Sequence, residues 1–447
     1  MIFYSKIRQY IMKSDFLKSI SVLFSGNLIA NAISFASVPI ISRIYNQESF
    51  GEYAVLTSLA TILTGIASLG LNSAIMAPKN DDESKEILTT TCITEVLIIS
   101  ALFIIGLFIN YIYDVTIVSF NIYFAMLLLF LYTVVLGAYY LLSVYTNRCK
   151  LNRVLFGNAL INALAMFLFA IPLGLIGMKG DGLLLAAILG YSIADVHMII
   201  KTRPFLWVKY LKSIKVISRK YKDFILFQYP SNTLGVFSQQ IPNQFFSKFF
   251  GNANLGGYAM CERILGVPMR LIGNPINTVY FRHASIYVKE GRDLSYFTYQ
   301  LVVKMLYLSF IPVIVLFLFS KQIFTFILGS GWEDVGEIVT IFIVPYFLTF
   351  CSSCITYCLV VIDKQRVNLV LAIFHLLLLL LSLIGGWLIW GDFKGTIIFY
   401  SYGVILIKLT HLMAIFYYLK KHFYRFCMII SAYLGIIYTI KYVILHI

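Results

Sequence analysis

Runs of about twenty apolar residues recur along this chain, and they decide which solvent it folds in. A bilayer core of ~30 Å is crossed by a helix of roughly 20 apolar residues. Twelve segments reach that length: 19–42, 52–77, 87–110, 120–145, 154–177, 183–203, 224–250, 257–281, 295–319, 336–361, 368–390 and 396–419. All exceed the ~9–11 residues of a membrane-spanning strand, so helices are expected rather than a barrel. Composition points the same way. Of the 447 residues 60% are hydrophobic and 12% charged, against ~45–50% and ~25% in soluble domains. The expected fold class is an all-α polytopic membrane protein of about twelve transmembrane helices.

The formal charge of +15 would suggest nucleic acid in a soluble protein. Its distribution here suggests topology instead. With the N-terminus in the cytoplasm, the cytoplasmic segments carry 25 of the 35 Lys and Arg, and the opposite loops carry 4. This is a strong positive-inside bias, and nucleic acid drops out as a partner. Residues 1–18 mix apolar side chains with Lys6, Arg8, Lys13 and Lys18, as a basic amphipathic helix on the membrane surface does. The first apolar run is too long for a cleavable signal peptide. The longest connection, 204–223, is basic and separates six spans in 19–203 from six in 224–419. Two six-span lobes are a common plan of secondary transporters. The tail, 420–447, joins a basic loop to an apolar stretch at 427–447 that carries Lys441. It either forms a thirteenth span or lies in the interface.

Several classes fall away. The chain has no GxxxxGK[ST] loop and no dinucleotide fingerprint, so no nucleotide cofactor is expected. Cys351, Cys354 and Cys358 share a helix face with no His or acid beside them. They read as small residues at a helix–helix contact rather than as a metal site. The longest loop opposite the cytoplasm, 320–335, is too short for an active site, so an enzyme is not expected.

Polar groups in a bilayer must face protein, water or cargo, and they mark the candidate site. Asn27 and Asn31 lie four apart in span one, leading to Arg43. Thr57, Thr61, Thr64, Ser68 and Asn72 follow one face of span two; packing and a pathway explain the hydroxyls equally well. Span seven is the most polar, with Gln240, Gln244 and Lys248 on one face and Pro230 and Pro242 interrupting it. In span eight Arg263, Arg270, Asn274 and Asn277 share a face, with Arg270 near the middle. A mid-bilayer Arg costs from ~2.5 to more than ~10 kcal/mol unless it meets water, an acid or an anion. Lys408 lies mid-span in the last helix, whereas Lys304 is placed to snorkel. Satisfied core histidines are the more common reading of His375 and His411. The acids inside spans are Glu95, Asp195 and Glu262. Glu95 and Asp195 either carry a coupling ion or neutralise basic residues. Cations outnumber acids, and Arg in particular suits phosphate oxygens.

Two stretches carry a family resemblance. PIISRIY at 39–45, FGEYA at 50–54 and SLGLNSAIMAPKNDDE at 68–83 resemble the N-terminal signature of the Wzx-type polysaccharide biosynthesis flippases of the MOP superfamily. YKDFILFQYPSNTLGVFSQQIPNQFFSKFFG at 221–251 and GGYAMCERILGVPMRLIGNPINTVYFRHASIYVKEGRDL at 256–294 resemble that family's spans seven and eight. The resemblance covers most of residues 20–420. It implies a MATE-like V-shaped pair of six-helix lobes in the bacterial inner membrane, with a central cavity. It also implies flipping of undecaprenyl-pyrophosphate-linked oligosaccharide, for O-antigen or capsule, from the cytoplasmic to the periplasmic leaflet by alternating access. A polysaccharide polymerase and a chain-length regulator would be its protein partners. Arg43, Lys79 and Arg263 match family positions. Arg270 departs from the pattern, at a place where the resemblance implies a neutral residue, and would tune the cavity to this cargo's sugars.

Two other classes compete. A cation-coupled multidrug exporter of the same superfamily would be expected to carry a surplus of membrane acids. A membrane polysaccharide polymerase would need a large periplasmic loop. Neither feature is present.

Overall fold

The computed structural model describes residues 29–78, 80–113, 118–203, 214–222, 225–226 and 229–445. The expected surface helix at 1–18, Asn27, Lys79 and the linker stretch 204–213 lie outside the described residues.

The described residues form helices joined by turns, and no strand occurs among them. The long elements are α1 (Val38–Ile44), which continues a helical stretch from 29, α2 (Gln47–Ala67), α3 (Asp81–Tyr113), α4 (Ile122–Arg148), α5 (Asn152–Leu175), α6 (Gly180–Thr202), α7 (Tyr229–Leu265), α8 (Asn274–Lys289), α9 (Leu294–Leu328), α10 (Glu333–Ser353), α11 (Gln365–Trp390), α12 (Phe393–Leu419) and α13 (Phe423–Leu445). Among the described residues nine helices are long and apolar enough to cross a bilayer, and 29–44 and 423–437 are shorter apolar helices. The chain is a multi-pass membrane protein.

Short polar residues start these helices. Asn46 accepts the Ser49 N–H at 2.9 Å, Asn121 the Tyr123 N–H at 2.9 Å, Asp293 the Tyr296 N–H at 3.1 Å, and Asp392 the Gly395 N–H at 3.1 Å. Each satisfies a donor that the first helical turn leaves unpaired. Gly329 (φ 100°) and Gly391 (φ 70°) close α9 and α11 in backbone conformations that favour glycine.

Spans seven and eight depart from the expected pattern. Proline was expected to interrupt span seven, yet α7 runs through Pro242 and breaks at Gly251 (φ 83°, ψ 165°). Helix resumes at once, so the expected loop shrinks to one residue. Span eight breaks again where an unbroken helix was expected: α7 stops at Leu265, a π-turn occupies Met269–Gly273, and α8 follows. Pro268 and Pro275 flank this turn. Each lacks the N–H that would close the turn before it, and its ring pushes away the carbonyl four residues back.

The chain divides into two compact units. In the N-terminal unit, Ala32–Met260, α6 packs on α2, α4 and α5. Its buried small residues Ala186, Ala187, Gly190 and Ala194 permit that approach. α2 meets α7 even more closely: a Cβ on Gly51 would collide with the Asn252 carbonyl, and one on Gly256 with the Gln47 carbonyl. On the same unit Arg148 holds the carbonyls of Ile75 and Met76 at 3.4 and 3.3 Å and Asp81 at 3.2 Å. Glu83 accepts from Lys220 and from the Tyr221 hydroxyl. Burial and then the Glu83 hydrogen bond push Tyr221 up to about 12. The short helix Ile214–Lys220 is thereby tied to α3.

The second unit comprises Cys261–Leu445 with 29–31. α10 lies at its centre, against α9 and α12. Cys351, Cys354 and Cys358 are fully buried in its apolar core. The C-terminal stretch is helical: α13 buries Phe426, Ile430, Tyr433 and Ile437 and exposes Tyr424 and Met428. Elsewhere, apolar stripes face outward, such as Leu97, Ile104 and Phe108 on α3 and Val370, Leu381 and Leu388 on α11. Stripes of this kind suit lipid and not water.

Candidate functional site

The π-turn builds the most distinctive polar feature of the C-terminal unit. Its wider winding lets the Arg270 side chain fold back over the preceding turn, where Nη2 donates to the Arg263 carbonyl at 2.6 Å. Gly266 leaves room for this, because a Cβ there would come within 2.6 Å of Arg270 Nη1. Gly273 seats the turn against Ser353 of α10. Arg270 is exposed on the unit and has no carboxylate partner among the described residues. Glu262, the nearest acid in sequence, accepts from the Tyr346 hydroxyl at 2.9 Å. The result is a guanidinium fixed at one nitrogen, with further donors turned outward for an anion.

The expected row Arg263–Arg270–Asn274–Asn277 presumed an unbroken α-helix. The π-turn changes its phase. Arg263 and Arg270 still meet, through backbone and guanidinium. Asn274 is exposed, and Asn277 turns to the Tyr357 N–H at 3.5 Å.

Lys408 lies in the α11–α12 seam of the same unit with His375 and His411, whose rings are 6.0 Å apart. Asn31 is half-buried in the helix from 29, and Arg43 donates to the Pro39 carbonyl at 2.5 Å.

In the N-terminal unit, Gln244 donates to the Val55 carbonyl at 3.1 Å and to the Ser58 hydroxyl. Its amide therefore fastens α7 to α2. Gln240 accepts from Asn243 at 3.4 Å, and Lys248 is exposed. Most of the span-two hydroxyls turn inward to their own helix. Thr57 donates to the Tyr53 carbonyl at 2.8 Å, Thr61 to that of Thr57 at 2.8 Å, and Ser68 to that of Gly65 at 3.0 Å. Packing accounts for them.

The same unit brings Glu95 and Asp195 into one polar pocket, where Cys92 is within electrostatic reach of both. Gly137 makes room for the Glu95 carboxylate: a Cβ there would lie 3.0 Å from its Oε2. Asp195 Oδ1 and Asn158 Nδ2 are buried with no hydrogen-bond partner, and Asn158 Oδ1 lies 3.4 Å from His197 Nδ1. Neither carboxylate has an ion pair among the described residues. Buried acids and idle amides of this kind can hold a proton or a monovalent cation.

Sequence reasoning missed Glu52. It is fully buried and accepts the Ser119 N–H at 2.6 Å and the Gly180 N–H at 3.3 Å. It ties the ends of three helices. Its only signal was its place inside FGEYA.

Comparison with known proteins places the fold. With 15% identity the chain resembles lipid II flippase MurJ in an inward closed conformation, at a TM-score of 0.67 over 95% of this chain and 100% of that one. It resembles an inward-facing MATE-family multidrug resistance transporter of the MOP superfamily with 14% identity and a TM-score of 0.64, over 89% and 96%. A MOP-superfamily transporter from Pyrococcus furiosus, described as having a binding pocket of reversed polarity, matches at 15% identity and a TM-score of 0.54, over 90% and 96%. No curated protein matches the sequence significantly. The fold is that of MOP-superfamily membrane transporters. Residues 40–337 match the family model described as polysaccharide biosynthesis protein, and the chain belongs to that family.

Proposed function

We propose that this protein is a flippase for undecaprenyl-pyrophosphate-linked oligosaccharide repeat units, O-antigen or capsule, and moves them from the cytoplasmic to the periplasmic leaflet by alternating access. One observation carries the reading: an Arg270 guanidinium held by a backbone carbonyl, without an acid, in a membrane segment. Membership of a polysaccharide biosynthesis family supports it. Arg263 and Arg270 bind the anionic part of the cargo, and Asn274, Gln240 and Lys248 meet its sugars and phosphates. Asn27, Asn31, Arg43, Gln244 and Lys408 complete the transport path. Glu95 and Asp195 carry the coupling ion. The chain works in the inner membrane with its N-terminus in the cytoplasm, and a polymerase and a chain-length regulator act beside it.

The Glu95–Asp195 pocket favours a second reading, a cation-coupled exporter of small molecules. One experiment separates the two. Expressed in a flippase-null strain, the chain restores surface polysaccharide under the first reading. Drug resistance without polysaccharide would overturn it.

A further inference from the structure

Three basic side chains gather in the seam between α11 and α12, and no acid accompanies them. Small residues bring these helices close: a Cβ on Gly386 would come within 2.9 Å of the Thr396 backbone, and Gly403 lies against Ser382. His375 shares a face of α11 with Leu379, Ser382 and Gly386, so its ring enters the same seam. There His375 Nε2 lies 3.1 Å from Thr410 Oγ1. The Thr410 hydroxyl donates to the Leu406 and Ile407 carbonyls, both at 2.9 Å. With that proton engaged, Thr410 can only accept. The hydrogen bond therefore puts the imidazole hydrogen on Nε2 and leaves Nδ1 as the lone pair a proton would take. The His411 ring is 6.0 Å away. Lys408, one turn before His411, is within electrostatic reach of both rings.

The surroundings offer no neutralising partner. α9, α11, α12 and α13 contain no Asp or Glu. The carboxylates of α10 are Glu333, Asp334 and Glu337, all in its first turns, and Glu337 is engaged by Lys394 at 2.9 Å. Lys408 is fifteen residues beyond Phe393, about 22 Å along the helix. The other charges on the packed elements are cations: Lys304 and Lys321 on α9, Arg366 on α11 and Arg425 on α13. Lys408, His375 and His411 form no ion pair among the described residues. Uncompensated positive charge at this depth is costly, and an anionic ligand relieves the cost.

We propose that His375, Lys408 and His411 form an oxyanion site that is charged by protons. Lys408 supplies the fixed positive charge. Protonation of the imidazoles at Nδ1 of His375 and on His411 raises the site from one positive charge toward three, which suits a phosphate-type dianion. Binding and protonation reinforce each other, so anion binding takes up protons, and acidification tightens binding by the same factor. An ordinary imidazole titrates near ~6.5, so the switch works close to neutral pH. The cargo pyrophosphate as natural ligand rests on the flippase reading; the oxyanion site itself does not.

The test uses the full-length chain in lipid nanodiscs, with sulfate, pyrophosphate and geranyl pyrophosphate as probes. Sulfate keeps its charge on both sides of neutrality and so isolates titration of the protein. Calorimetry should give about tenfold tighter sulfate binding near pH 6 than near pH 8, equivalent to ~1.4 kcal/mol, with net proton uptake. With six histidines in the chain, two nitrogen-15 histidine resonances should shift on adding sulfate. Lys408→Met should lose the site, and His375→Gln with His411→Gln should keep binding but flatten its pH dependence. Two results would overturn the proposal: sulfate binding by the wild type that does not change with pH, or pH dependence retained in the double histidine variant. Equal responses to pyrophosphate and geranyl pyrophosphate support a site for the phosphate alone. A geranyl pyrophosphate response that survives Lys408→Met overturns the site. If the flippase reading alone fails, complementation is lost while proton-linked sulfate binding stays.

Discussion

The two units differ in the sign of the charge they hold inside their spans. The N-terminal unit gathers two acids, Glu95 and Asp195, around buried amides, and keeps its cations Arg43 and Lys248 near helix ends. The C-terminal unit gathers Arg263, Arg270, Lys408 and two histidines, and its one mid-span acid, Glu262, is engaged by Tyr346. Similar bundles of helices thus provide two kinds of site. An acid pocket suits a small cation. A set of cations with forked donors suits an oxyanion. The difference argues for a division of labour, with driving ion in one unit and cargo charge in the other.

The comparison breaks first at Arg270. Arg270→Ala should cost on the order of 2–5 kcal/mol of cargo binding and abolish surface polysaccharide while the protein still reaches the membrane. Full polysaccharide at native expression would remove the cargo role of the C-terminal unit. The next test is on the acids. Glu95→Gln and Asp195→Asn should each slow transport about tenfold, ~1.4 kcal/mol, and remove its response to a proton or sodium gradient. Cargo affinity should hold. A fall in cargo affinity without loss of gradient response would erase the distinction between the units.

Two smaller effects sharpen it. The N-terminal unit acts as a preformed frame if α2 and α7 are locked together. Gly51→Val should then lower thermal stability by ~1–3 kcal/mol, because its side chain lands on the Asn252 carbonyl. Gly235→Ala, which meets nothing within 4 Å, should be neutral or slightly stabilising. Equal melting of the two variants in nanodiscs would refute the frame. The smallest effect concerns Asp293, at the end of α9. Partial burial raises its carboxyl, but hydrogen bonds from Lys421 at 3.1 Å and the Tyr296 N–H hold it below its ordinary value. Its stabilisation is complete at neutral pH and is lost as pH falls through the lowered value. The pair is exposed and screened, so Asp293→Asn should cost less than ~1 kcal/mol. That difference should shrink in acid; a difference constant with pH would refute the pairing.

Much of the fold was legible because hydropathy and capping act locally. The apolar runs place α2–α6 and α9–α12, and Asn46, Asn121, Asp293 and Asp392 mark where several begin. The interruptions in spans seven and eight were not legible from proline alone. Pro242 is absorbed by a helix packed on both sides, whereas Gly251 breaks it through a backbone angle that leaves no trace in hydropathy. Of the candidate site, the residue types were legible and their partners were not. Arg270 stood out by depth, but its bond to the Arg263 carbonyl depends on the π-turn. Gln244 looked free to meet cargo and instead holds α2. Glu52 looked like an interfacial acid and is a buried tie, because its partners are backbone N–H groups some 70 and 130 residues away in sequence.

The π-turn at Met269–Gly273 also sets a rule about chain length. It accommodates a surplus residue relative to an α-helix. Deleting one codon between 266 and 273 would let the stretch rewind as ordinary helix and rotate everything after it by about 100°. The buried row Ile276, Tyr280 and Ala284 would swing out of its core. Substitutions within the turn change one side chain at a time, but a single-residue gap would misdirect all of α8. Variation there should consist of changed letters at a conserved length.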